Sequence, residues 1–247
     1  MKTTRISMGM PVSVEIVGET AEEGIEKVFE YFTQVDARFS TYRAESEVSR
    51  VNAGALALCE VSPECAEVLA LAEQTTVESA GYFNIVRADG TIDPSGIVKG
   101  WALKKATDLL LSLGYEHFCI DAGGDISVHG VNAVGEPWSV GIRNPFNHDE
   151  VVKALYPKTL GVATSGSSAR GDHIYNPHEP RQTLRDVVSI TVIGPNILEA
   201  DRFATAAFAM GTHGIDFIES LQGFEAYQID ANGIATMTRG FEHLTHA

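Results

Sequence analysis

With 247 residues, 44% apolar and 21% charged, the chain is long enough to bury a sizeable core and too apolar for extensive disorder. Its formal charge of −15 excludes a diffuse basic surface for nucleic acid or an anionic membrane. An anionic ligand would need a metal ion, backbone amides or a few placed cations.

Alternation at Val12, Val14 and Ile16 predicts a half-buried strand over 10–18. Ala21 to Phe39, with Ile25, Val28, Phe29, Phe32 and Val35 at helical spacing, predicts an amphipathic helix. Ser62 is a good N-cap for a helix running to about Ala80. Residues 81–86 read as a short strand, Ala88 to Thr91 as a turn, and Val98 to Leu113 as a helix stopped by Gly114. Strands are expected at 117–120, from Ile126, at 138–142, at 155–164 in part, and most clearly at 187–193. A small-residue loop spans 165–172. Helices follow at 199–210 and 215–221, and the end reads as two strands joined by a turn at 230–233.

No repeat, low-complexity tract or linker interrupts this order, so a single domain over residues 1–247 is expected. Its class is α+β, with mixed helices and mainly antiparallel sheet. The three cysteines, Cys59, Cys65 and Cys119, form no CxxC pair, which suits a reducing compartment. Nothing resembles a secretory signal, and no window approaches the ~18 apolar residues of a membrane span, so a cytoplasmic location is expected.

The stretch Asp93-Pro-Ser-Gly-Ile-Val-Lys-Gly-Trp-Ala102 joins an acid, a flexible turn and Lys99 to a helix start, a combination suited to a phosphorylated ligand. It lacks P-loop spacing, and Asp121-Ala-Gly-Gly-Asp125 lacks the spacing of a dinucleotide fingerprint. Asp201 and Thr205, four apart, share a helix face. They could bind a hard cation such as Mg²⁺, or Asp201 could simply complement the helix dipole while Thr205 packs. His173 beside the small-residue loop is equally open between a structural and a catalytic role. The remaining histidines form no zinc pattern.

Taken in order, FSTYRxxSE, DPSGIVKGWA, DAGGD, TSG–RG–HI–NP and EADRFATA resemble the FAD:protein FMN transferase (ApbE) family, over nearly the whole chain from Met8 onward. The chain looks like a compact, cytoplasmic member. The resemblance implies an ApbE-like, T-fold-related architecture. It also implies transfer of FMN from FAD to a Thr or Ser hydroxyl of a cytoplasmic flavoprotein, with release of AMP. Mg²⁺ would be held by Asp201, Thr205 and the Gly96 carbonyl. FAD contacts would fall on Met8, Tyr42, Asp93 and Lys99, with backbone around Gly123, Gly124, Thr164 and Ser165. His173, or Asp93, would take the hydroxyl proton.

Three departures stand out. Asn84 replaces the family's usual Asp, a longer stretch before the DPSG motif is missing, and His178-Glu179-Pro180 replaces a Thr-Gly turn. The altered loop and the missing stretch keep a non-catalytic FAD-binding module open, and an FAD diphosphatase, with water in place of the acceptor hydroxyl at the same Mg²⁺ site, is a separate alternative.

Overall fold

A computed structural model describes residues 1–157, 161–167, 174–179 and 184–245. Its centre is an eight-stranded sheet in the order β1-β2-β3-β4-β7-β8-β9-β10, with every neighbouring pair antiparallel. The strands are β1 (Lys2–Ser7), β2 (Met10–Ile16), β3 (Phe118–Ala122), β4 (Asp125–His129), β7 (Gly161–Gly166), β8 (Val187–Gly194), β9 (Glu225–Asp230) and β10 (Ala235–Met237). A separate hairpin joins β5 (Val140–Asn144) to β6 (Asn147–Leu155). This is the expected α+β architecture.

The helices are α1 (Ala21–Phe39), α2 (Glu47–Asn52), α3 (Pro63–Glu78), α4 (Ser95–Ser112), α5 (Ile197–Ala209) and α6 (Gly214–Glu219). The apolar stripe of α1, from Ile25 through Val35, is buried with Trp101 and Leu103 of α4 and with Val12, Val14 and Ile16 of β2. Burial of each such large side chain contributes about 1.5–3 kcal/mol, and this layer makes the main core. A second cluster gathers Trp138, Val140, Ile142 and Leu155 of the hairpin region with Val162, Ile193, Tyr227 and Phe241.

Several sequence expectations need correction. Strand β1 carries no apolar alternation because it is a sheet edge with both faces largely polar; Met8 and Gly9 (φ 50° and 74°) then form the two-residue turn into β2. The 81–86 stretch makes no ladder beyond a single bridge between Val86 and Ile92. Its donors are spent locally, Phe83 N–H on Ser79 Oγ and Val86 N–H on Asn84 Oδ1. The expected strand over 155–164 is divided between the end of β6 and β7. At the start of β7, Gly161 meets the start of α5 so closely that a Cβ would collide with the backbone of Ile197.

Helix α4 starts three residues earlier than expected. Asp93 Oδ1 accepts the Ser95 N–H at 3.1 Å, doing the work of a cap, and Gly96 is retained inside the first turn. Lys99 therefore sits in the second turn of α4 and not at its mouth. Asn196 caps α5 through the Glu199 N–H at 3.1 Å, so that helix also begins slightly before the expected Glu199.

Candidate active site

Helices α4 and α5 pack against each other, and a glycine sets how close they come. A Cβ on Gly100 would stand 2.6 Å from Asp201 Cβ, and one on Gly96 would be 3.4 Å from Thr205 Cγ2. The absence of a side chain at Gly100 lets the DPSGIVKG helix lie directly on the ADRFAT helix, while a methyl group at Gly96 would meet Thr205 in ordinary contact. Gly100 donates its N–H to Asp201 Oδ2 at 2.7 Å. One turn away, the Thr205 hydroxyl lies 3.5 Å from the Gly96 carbonyl oxygen, a long contact that leaves lone pairs on both oxygens.

Lys99 completes the corner. Its ammonium is ion-paired with Asp125 and lies 3.3 Å from Asp201 Oδ1. Both acids are almost fully buried, at 1% and 2% exposure. Asp125 is further held by the Thr164 N–H at 3.0 Å, and the Thr164 hydroxyl is bonded to that of Thr191. Two buried carboxylates thus share one ammonium, leaving a surplus of negative charge. Burial raises the Asp201 carboxyl to about 7; Lys99 opposes the rise and Asp125 adds to it.

This corner opens into a cleft of 1210 Å³, walled by the first turns of α4, the 121–124 turn, the end of β7, the β5–β6 hairpin and residues 174–177. Asp93, Gly96, Lys99, Gly123, Gly124, Thr164, Ser165, Asp201 and Thr205 all line it. Asp93 is already engaged, by Arg87 on one oxygen and by Ser95 N–H on the other. Gly123 N–H goes to the Pro11 carbonyl and Gly124 N–H to Asp121 Oδ1, so this turn offers a ligand open backbone surface without spare donors. Asp121 is raised by burial, partly offset by the Gly124 bond.

Two expected contacts stand apart from the cleft wall. Tyr42 is 98% exposed, and Met8 belongs to the β1–β2 turn and packs on the main core, while its neighbours Gly9 and Met10 reach the cleft. His173 lies outside the described residues, as do Pro180 and most of the 165–172 loop. Residues 174–179 are described, and there His178 Nε2 donates to the Ala80 carbonyl at 3.0 Å and stacks edge-on against Tyr82, with ring centroids 4.6 Å apart.

Sequence reasoning missed Asp125, although it sits in the recognised DAGGD turn, because only the fold shows its carboxylate reaching Lys99. It also missed Gly100, whose role depends on a residue on another helix, and Arg87 at the cleft wall.

The donors present suit a hard divalent ion: one carboxylate raised by burial, one hydroxyl and one carbonyl, all oxygen. Among the described residues no cluster of three or more His, Cys, Asp or Glu side chains is placed to hold a metal. A cation here would therefore rely on the mixed set at Asp201, Thr205 and Gly96.

The ApbE family profile matches residues 8–89 and 85–228. The FAD:protein FMN transferase of Salmonella typhimurium is 30% identical over 151 residues, which is 58% of this chain and 43% of that protein. Its counterpart from Vibrio cholerae is 33% identical over 129 residues, 49% of this chain and 39% of that protein. These alignments thus span about two fifths of either curated relative.

The fold is that of the flavin transferase ApbE from Vibrio cholerae (TM-score 0.86, 22% identity, 99% of this chain and 98% of that one). It is equally that of the ApbE protein from Thermotoga maritima (TM-score 0.88, 21% identity, 100% and 99%). With a family profile covering most of its length and an ordered set of motifs meeting in one cleft, the chain belongs to the ApbE family.

Proposed function

We propose that the chain is a Mg²⁺-dependent FAD:protein FMN transferase, built as one domain and acting in the cytoplasm on a flavoprotein with an acceptor Thr or Ser. The observation carrying this reading is the convergence of Lys99, Asp201, Thr205 and the Gly96 carbonyl at one end of a cleft of 1210 Å³. Its size suits a large dinucleotide. The named curated relatives support FAD as the substrate. Three dispersed free cysteines support a reducing location. Among the described residues no helix is long and apolar enough to cross a membrane.

In the reaction, the acceptor hydroxyl oxygen forms a bond to the FMN phosphorus, the bond from that phosphorus to the bridging oxygen breaks, and AMP leaves with that oxygen. Bound at Asp201, Thr205 and Gly96, Mg²⁺ would neutralise charge on the diphosphate. Lys99, anchored from behind by Asp125, supplies a fixed positive charge to the same oxygens. Asp93 has both carboxylate oxygens engaged. The hydroxyl proton is assigned to His173, the histidine of the HI–NP motif, or to Asp93, whose oxygens keep acceptor capacity beyond these bonds.

The test is incubation with FAD and Mg²⁺, with and without a candidate flavoprotein, followed by intact-mass analysis. A gain of one FMN on the acceptor with equimolar AMP supports transfer. Free FMN and AMP with an unmodified acceptor would identify a diphosphatase, and intact FAD would identify a binding module.

A further inference from the structure

A diphosphate needs more positive charge than the metal corner provides, because Lys99 already serves two buried carboxylates. Among the described residues the other cations lining the cleft are Lys2, Arg87 and Arg143. Lys2 faces Glu15 at 3.8 Å, and Arg143 lies near Asp121, whose charge it offsets. Arg87 is placed differently. Its guanidinium pairs with Asp93, whose second oxygen accepts the N–H of Ser95, the first residue of α4. The next residue is Gly96, a member of the metal corner. Contacts thus run from Arg87 through Asp93 and the start of α4 to Thr205.

The segment bearing Arg87 is braced on every side. Arg87 N–H donates to the Thr91 carbonyl at 2.8 Å, Gly90 N–H returns to the Arg87 carbonyl at 2.9 Å, and Asp93 N–H reaches the Ile85 carbonyl at 2.8 Å. The Asn52 side chain bonds both the carbonyl and the N–H of Ile92, at 2.9 and 2.8 Å. The backbone carrying Arg87 is therefore fixed, while the side chain itself is half exposed and held by Asp93, and its planar fork has donors beyond the one given to Asp93. The two pieces of the family profile match meet at residues 85–89, within this same hairpin.

We propose that Arg87 is a phosphate-binding residue, whose guanidinium takes an oxygen of the ligand's diphosphate beside the first turn of α4. This compact hairpin thereby supplies a second fixed cation to the cleft. The inference rests on the functional reading above, which makes the ligand a diphosphate. Arg–phosphate bonds are charge-assisted, and their loss should affect a phosphorylated flavin far more than an uncharged one.

The test is fluorescence titration of FAD and of riboflavin, with Mg²⁺ and no acceptor, into wild type, Arg87→Gln and Arg87→Lys, with thermal melts alongside. Arg87→Gln should weaken FAD binding at least tenfold and riboflavin binding less than twofold. Arg87→Lys should recover part of the loss and serves as the folded comparison if the glutamine variant melts early. FAD affinity within twofold of wild type, or equal losses for FAD and riboflavin, would overturn the assignment. Wild type that binds neither ligand overturns the functional reading and this inference together.

Discussion

Gly100 and Asp201 touch across two helices: the glycine N–H bonds the aspartate at 2.7 Å, and there is no room between them for a methyl group. Gly100→Ala would place a Cβ 2.8 Å from Oδ2, with backbone on one side and a buried carboxylate on the other. Overpacking of this kind costs about 1–3 kcal/mol. The variant should melt several degrees lower and bind divalent ions at least tenfold more weakly by calorimetry. Unchanged metal affinity would show that the corner tolerates separation of the helices.

Asp201 links stability to pH. Its carboxyl is raised from the ordinary 3.8 to about 7, first by burial. Because the folded value lies above the unfolded one, this contribution is fully present below about pH 4 and is lost as pH rises through 7. Melting of the metal-free protein should therefore fall between pH 5 and 8, and Asp201→Asn should flatten that slope. Mg²⁺ should raise the melting temperature more at pH 8 than at pH 5, since it favours the ionised form. A slope unchanged in Asp201→Asn would assign the effect to other groups.

Tyr42 offers a separation of binding from folding. Being 98% exposed, it contributes no packing to the free protein. Tyr42→Ala should leave the melting temperature unchanged, and although Tyr42 stands apart from the cleft wall, the FAD contact proposed for it requires about tenfold weaker FAD binding, the scale of one lost aromatic stacking contact of about 1–1.5 kcal/mol. Unaltered affinity would remove Tyr42 from the binding surface.

His178 fastens residues 174–179 to the turn after α3, through the Ala80 carbonyl and the Tyr82 ring. Ile174, Tyr175 and Pro177 of this segment line the cleft. His178→Ala loses one hydrogen bond of about 1 kcal/mol together with the ring contact. The expected outcome is a small drop in melting temperature and a several-fold lower transfer rate. Wild-type turnover in that variant would make the tether purely structural.

Much of the scaffold is legible in the sequence because burial there is one-sided. Val12, Val14 and Ile16 alternate, and Ile25 through Val35 recur every three or four residues, since each set faces a single core. The edge strand β1 has no such asymmetry, and its polar residues hide it. Within the site, the four-residue spacing of Asp201 and Thr205 is visible locally. The partnership of Lys99 with Asp125, and that of Gly100 with Asp201, join residues far apart in sequence, and no periodicity records them. The donors of the 123–124 turn are another case: the glycines are conspicuous, yet only the fold shows that their N–H groups are already taken.

The corner in which Lys99 sits between Asp125 and Asp201 is also an ordering of events in synthesis. Asp201 emerges 76 residues after Asp125, a delay of roughly 4–15 s at about 5–20 residues per second. A nascent chain that has completed β4 holds the lysine and one acid, without the second acid or the hydroxyl of Thr205. The corner is assembled in one step, when α5 docks against Gly100 of α4.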